Sequence, residues 1–485
     1  MRGTRKLWFA GLLMVLPSLY FVLRYPLIGN IKLTDMGWMS GHSQQGLWEF
    51  LLAITCMFLV YSYAIITCTH VDNYSARYPV FICGVALVII FAFMYPTTAI
   101  DVFVYAARSR VFTHYGADPM TTPANKFFFD HFVRFAQQYG DNISVYGPLW
   151  NLLAAPITVL SGESMGKAIV GFKLLAVLST IASAILIYLV LREISPQGAS
   201  LGVLLFLWNP LVLWEIPGNG HNDLVFLIFV LLAILAWQRG FGFVSPALLL
   251  AGAMVKYVPF ILLPIFLVAI GSQSLRKSLD LRKILFGVVS CCVVLLISFW
   301  PFYNPWAIYE SIREQDRIML VSPASALINL LSGGKVDQDI ASWVKLTGRG
   351  IFLIVLLILL WVVWKSPKFL PFAVFECLFM YLILAAWSVQ NWYGVWLVAI
   401  AALINGWHRA RAISMSIGML YVYGLFIWVR YLWIQDGIEL LYWGVLMIFL
   451  LPVAFTLVQY GLRIFLDKRP SAKGEAATSL VSISS

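Results

Sequence analysis

Residues 199–238 read ASLGVLLFLWNPLVLWEIPGNGHNDLVFLIFVLLAILAWQ. Two apolar runs, 199–216 and 222–238, flank a knot of turn formers and polar side chains, Pro217-Gly218-Asn219-Gly220-His221-Asn222-Asp223. A bilayer crossing needs about 20 predominantly apolar residues, within a range of roughly 17–25. Both runs have that length, so the segment reads as two membrane helices joined by a tight polar turn.

The same pattern repeats outward in both directions. Further runs occupy roughly 7–23, 47–67, 78–95, 165–191, 244–270, 283–302, 348–364, 370–388, 392–405, 412–434 and 440–463. The chain of 485 residues is 61% hydrophobic and 11% charged, against about 45–50% and 25% in soluble domains. This composition excludes a soluble protein and predicts an all-α polytopic membrane protein. The net charge of +11 does not call for nucleic acid, because Lys and Arg collect on the cytoplasmic side of membrane proteins. None of the six cysteines has zinc-ligand or CxxC spacing, so no metal is expected. The start, with Arg2, Arg5 and Lys6 before an apolar run and no small-residue cleavage site, reads as a retained span.

Arg276/Lys277/Arg282/Lys283, Lys365/Lys368, Arg409/Arg411 and Arg463/Lys468/Arg469/Lys473 lie in short connections or the tail. Placed with the N-terminal cluster on the cytoplasmic side, they put both ends of the chain inside and the polar stretches 24–46, 96–144 and 303–347 outside. Two topologies remain for the middle. Either 145–161 spans and 244–270 is one helix, or 145–161 lies at the interface and 244–270 turns near Lys256–Pro259. The second has the better charge asymmetry, gives about 14 transmembrane helices, and is the one expected. The chain then divides into N-terminal helices 1–77, a module 78–302 containing a first external loop 96–164, a second external loop 303–347, C-terminal helices 348–465 and a tail 466–485.

Polar groups near the hydrocarbon layer are costly and mark sites; here they gather on the external face. Asp101, just past the third span, is placed either to take a proton from an attacking hydroxyl or to cap the helix that follows. Asn219, His221, Asn222 and Asp223 are suited to sugar hydroxyls, or to capping the helix 222–238. Gly218 and Gly220 would allow close backbone approach to a ligand. Lys256, flanked by apolar residues, either holds a lipid phosphate as a point charge or snorkels to the interface. Arg313 and Arg317, four apart, either contact a phosphate or pair with Glu310 and Glu314. Gln390, Trp392 and Tyr393 join two spans, where aromatics also serve as interface anchors. Lys173 and Arg430 lie inside spans without an assigned role. Gly162-Glu163-Ser164-Met165-Gly166-Lys167-Ala168 lacks the spacing and Ser/Thr of a phosphate loop.

Taken together these segments resemble the GT-C superfamily of membrane glycosyltransferases, and within it the bacterial polyprenol-phosphate-mannose-dependent α-mannosyltransferases. The resemblance rests on Asp101–Tyr105 with Arg110, on Gly116-Ala117-Asp118-Pro119, on Val145-Tyr146-Gly147-Pro148-Leu149-Trp150, and above all on Trp208-Asn209-Pro210-Leu211-Val212 with Gly218–Asp223. It covers about residues 78–400; Asp118-Pro119-Met120 departs from the family's usual Asn-Pro-Tyr. It implies an inverting transfer of a hexose, expected to be mannose, from a polyprenyl-phosphate donor to a glycan or glycolipid acceptor. Asp101 would be the general base; Lys256, Arg313 and Arg317 would hold the donor phosphate. Asn219, His221, Asn222, Asp223, Arg110, Tyr146, Gln390, Trp392 and Tyr393 would bind sugar or acceptor. No nucleotide sugar and no cofactor are implied, 145–161 would be a surface helix, and the setting would be a bacterial cell membrane with the site facing out. A transporter or flippase of a lipid-linked sugar is the alternative; it would call for charges paired at the bilayer midplane and internal repeats, and neither is evident.

Overall fold

A computed structural model describes residues 2–29, 36–274, 280–302, 304–317, 321–334, 337–454 and 457–458. Among them the fold is all-α, its one β feature an isolated bridge between Pro26 and Met94. Among the described residues nine helices are long and apolar enough to cross a membrane, or ten if the bent pair Pro196–Leu207 and Pro210–Gly218 counts as one span. That is fewer than the fourteen expected from the apolar runs. The difference falls on shorter apolar helices, among them Asp223–Gln238, Gly242–Val255, Val258–Ser272 and Asn391–Ala401. At 1.5 Å per residue, sixteen residues cover only about 24 Å, and Pro and Gly breaks set those lengths.

Two breaks shape the interior. After Leu207 the chain turns at Asn209, whose Oδ1 accepts the Leu211 and Val212 amides at 2.9 and 3.4 Å. Pro210, with no amide to leave unsatisfied, opens the next turn. The helix then widens into a single π-turn over Trp214–Gly218, a distortion often found at functional sites. The run 244–270 is likewise divided: Ser245–Val255 ends at Lys256, whose backbone is extended (φ −149°, ψ 130°), and the chain restarts at Val258. This is the break that the favoured topology requires.

The core is built around the first of these segments. From Val203 to Leu227 every residue is buried, enclosed by helices Asn73–Ala92, Met165–Ile194, Gly394–Ala401 and Trp407–Gly424. Trp214 is packed edge-on by Phe21, Phe50 and Phe91. Helices Leu281–Phe299 and Gln338–Lys365 instead expose apolar faces, with Leu285, Leu296, Leu353 and Leu357 more than half exposed, as expected of surfaces that meet lipid. The segment 145–161 forms the helix Pro148–Ser161. Its 14 residues span about 21 Å, short of the ~30 Å hydrocarbon layer.

Candidate active site

Helix Asp101–Thr113 begins with Asp101 itself, and the residue before it, Ile100, makes no capping bond. The Asp101 carboxylate is therefore not used as a cap. It sits in the first turn, where the helix dipole favours its negative charge, and accepts a hydrogen bond from the Tyr146 hydroxyl at 3.1 Å. Asp101, Val104 and Arg108, at i, i+3 and i+7, present one face of this helix to a pocket.

Tyr146 is held by an unusually close backbone contact. The Gly147 amide donates to the Val255 carbonyl at 3.1 Å, and a Cβ at position 147 would lie 2.2 Å from the Met254 carbonyl oxygen. Only glycine allows the two segments to meet here, and the meeting brings Tyr146 beside Lys256. The Tyr105 hydroxyl lies 3.4 Å from that of Tyr146. Burial raises the pKa of both phenols well above its ordinary value, and the Asp101 charge adds to the effect. Tyr146 thus remains a donor to Asp101.

Lys256 forms another wall. Its Nζ donates to Asp223 Oδ1 at 2.7 Å, and that same oxygen accepts Trp396 Nε1 at 2.6 Å. The ammonium also lies 4.7 Å from the ring centre of Tyr393 and 6.0 Å from that of Tyr146, within cation–π reach. Ser388, Gln390, Trp392 and Tyr393, with Tyr139 and Val145, complete the lining.

The structure therefore gathers Asp101, Tyr146, Lys256, Gln390, Trp392 and Tyr393 around one cavity, with Asp223 behind Lys256. Other candidate residues lie elsewhere. Asn219 ties the turn to the segment before Asp101, donating to Thr98 Oγ1 at 2.6 Å and to Glu215 at 2.9 Å. His221 is fully buried, 3.4 Å from Glu215, with its ring stacked on Trp392 at 3.9 Å. It supports the wall without reaching the cavity. Asn222 is buried behind the lining, with neither amide atom hydrogen-bonded. The glycines of the turn meet protein: the Gly218 carbonyl accepts Lys173 Nζ, which gives that span lysine a partner, and Gly220 is required by its φ of +83°.

Arg110 is on the far side of its helix, bound to Asp130 at 2.6 Å and to Glu163 at 3.1 Å. Arg313 is exposed on helix Ala307–Arg317 and does not line the pocket; the Arg317 side chain lies outside the described residues. The arginine that does line the pocket is Arg108. It is 6% exposed, its Nε has no hydrogen-bond partner, and one of its terminal nitrogens reaches the Tyr139 carbonyl at 3.4 Å. Asp101 and Arg108 are seven apart, and a helix started at Asp101 puts them on one face; that spacing is the signal the sequence offers for it.

A family model described as alpha-(1->6)-mannopyranosyltransferase, N-terminal domain (MptA_B family), matches residues 9–272, more than half of the chain. The chain belongs to this family. Membership agrees with the GT-C resemblance and identifies the chain as a membrane glycosyltransferase of the mannosyl-transferring type. A search of curated proteins finds no match. The matched stretch contains Asp101, Arg108, Tyr146, Asp223 and Lys256, whereas the wall from Ser388 to Tyr393 lies beyond it.

Proposed function

We propose that this chain transfers mannose, with inversion, from a polyprenyl-phosphate donor to a hydroxyl of a glycan or glycolipid acceptor at the outer face of a bacterial membrane. The observation that carries the reading is the pocket itself: one carboxylate at a helix N-terminus, lining the same cavity as two cations and several aromatic side chains. Asp101 takes the proton of the acceptor hydroxyl as that oxygen bonds to the anomeric carbon. The bond from the anomeric carbon to the phosphate oxygen breaks, and polyprenyl phosphate leaves with the electron pair. Tyr146 orients Asp101 through its hydrogen bond. Arg108, with an unused donor, and Lys256 meet the charge that develops on the leaving phosphate. Lys256 is shared with Asp223, so Arg108 carries the larger part. Trp392 and Tyr393 offer flat faces to sugar rings, and Gln390 a polar edge.

The test is transfer by purified protein in detergent, with synthetic polyprenyl-phosphate mannose in one arm and nucleotide-linked mannose in the other. Transfer from the lipid donor alone, with an α-linked product from a β-linked donor by NMR, is the expected result. Transfer from the nucleotide sugar, or retention of configuration, would overturn the donor or the mechanism respectively.

A further inference from the structure

Between helix Asp101–Thr113 and helix Pro148–Ser161 the chain makes a finger in which Phe128 and Phe129 are 80% and 69% exposed. Their neighbours Ala124, Asp130, Phe132 and Val133 are buried, so the two rings are held outward by a fixed base. Asp130 organises that base, accepting the Phe132 amide at 2.9 Å, Arg110 Nε at 2.6 Å and the Tyr115 hydroxyl at 3.1 Å. Tyr115 in turn stacks on Phe127 at 3.9 Å and meets Phe129 edge-on at 5.9 Å.

The finger is tied to the start of a membrane span. Arg110 donates to the Gly162 carbonyl at 3.2 Å and binds Glu163, and His131 Nε2 lies 3.0 Å from the Glu163 carbonyl. The apolar helix Met165–Ile194 begins two residues after Glu163. Just before the tie, Val159 and Leu160 are 64% and 83% exposed. Two exposed apolar pairs thus flank the point where the chain enters the bilayer. The finger's exposed charges are Lys126 and Arg134 against Asp141, which accepts Asn125 Nδ2 at 2.6 Å.

We infer that Phe128 and Phe129 form a lipid-inserting knob that seats the first loop on the membrane surface, with Lys126 and Arg134 at the phosphate headgroups. Aromatic rings and flanking cations fit the interface, where apolar bodies enter lipid and charges remain with phosphate. The helix braced by this knob through Arg110 carries Asp101 and Arg108 on its other face, so the knob sets the height of the pocket above the lipid. The inference rests on the span Met165–Ile194 crossing the membrane, and it does not depend on which reaction the pocket performs.

The test uses the full-length protein in phosphatidylcholine–phosphatidylglycerol nanodiscs, with trifluoromethyl-phenylalanine at position 128, 129 or, as a water-facing control, 121. Doxyl-labelled lipid should broaden the ¹⁹F signals at 128 and 129 and spare 121; a soluble gadolinium chelate should do the reverse. Broadening of 128 and 129 by gadolinium, as at 121, would overturn the inference. Protection of both from both reagents would also overturn it, since the rings would then be covered by protein. The Lys126→Glu/Arg134→Glu variant should lose part of its doxyl broadening at 129, and an unchanged signal would remove the headgroup contacts. No arm depends on turnover, so failure of the assigned reaction and failure of the knob are read separately.

Discussion

Arg108 and Arg110 are two residues apart on one helix, equally buried, and do different work. Arg110 is saturated: Asp130, Glu163 and the Gly162 carbonyl take its donors. Arg108 faces the pocket with Nε unbonded. Nine residues from Asp101 is about two and a half helical turns, which puts Arg110 on the opposite face, whereas seven residues is close to two full turns. A buried cation whose hydrogen bonds are already made holds the protein together. One with a donor to spare is available to a ligand. Under the proposed reaction the two faces of helix Asp101–Thr113 are separate devices, one for chemistry and one for bracing, and each half of that distinction can be broken.

The largest effect is expected on the chemical side. Asp101→Asn keeps the hydrogen bond from Tyr146 but removes the proposed base, and should lower kcat by about 10²–10⁴-fold while leaving the thermal unfolding midpoint unchanged. Loss of the midpoint along with activity would make Asp101 a structural residue. Next, Arg108→Gln should lower kcat/KM by roughly 10²-fold, the scale of removing one charge-stabilising donor, again without loss of stability. Arg110→Gln should behave in the opposite way. It leaves Asp130 buried without its cation, which costs about 3–5 kcal/mol in comparable buried pairs, and in detergent, where no bilayer fixes the height of the pocket, it should lower the midpoint while the folded fraction turns over normally. Equal effects of the two arginine substitutions on kcat/KM would dissolve the distinction.

The fold is readable because hydropathy registers directly the absence of water: runs such as 165–191 and 412–434 have no other stable home. The number of full spans is less readable, because Lys256–Pro259 and Asn209–Pro210 divide apolar runs into helices shorter than the bilayer. Within the site, Asp101 and Trp392 stand out as polar or aromatic residues beside the ends of such runs, and Lys256 as a charge inside one. Asn219 and His221 look like ligand groups in the sequence because their partners are distant in the chain: Thr98 is 121 positions from Asn219, and Trp392 is farther still from His221. Choosing between Arg108 and Arg110 requires the helix phase, which depends on Asp101 starting the helix and not capping it.

A smaller effect tests whether His221 acts on the pocket only through Trp392. His221→Ala removes the ring stacked beneath that tryptophan and should raise KM roughly two- to tenfold, in keeping with ~0.5–1.5 kcal/mol for an aromatic pair. His221→Phe restores a ring and should recover most of the loss. If His221 instead touched substrate, phenylalanine would not rescue.

The smallest effect concerns pH on the bracing side. Burial alone would raise the Asp130 pKa, but the Phe132 amide and Arg110 outweigh it and hold the carboxyl below its ordinary value. A carboxyl with a lowered folded pKa contributes stability that is fully present above the unfolded value of about 4 and is lost as pH falls through the folded one. The unfolding midpoint of the wild type should therefore be insensitive to Asp130 across neutral pH and should drop only below about pH 4. Asp130→Asn should start lower and lose less over that acid range, because the group that titrates is gone. The difference between the two curves, measured in the same detergent, isolates this one carboxyl from the others that protonate together with it. A difference that persists unchanged into acid would mean that Asp130 braces the loop by its shape and amide contacts, with its charge on Arg110 contributing nothing.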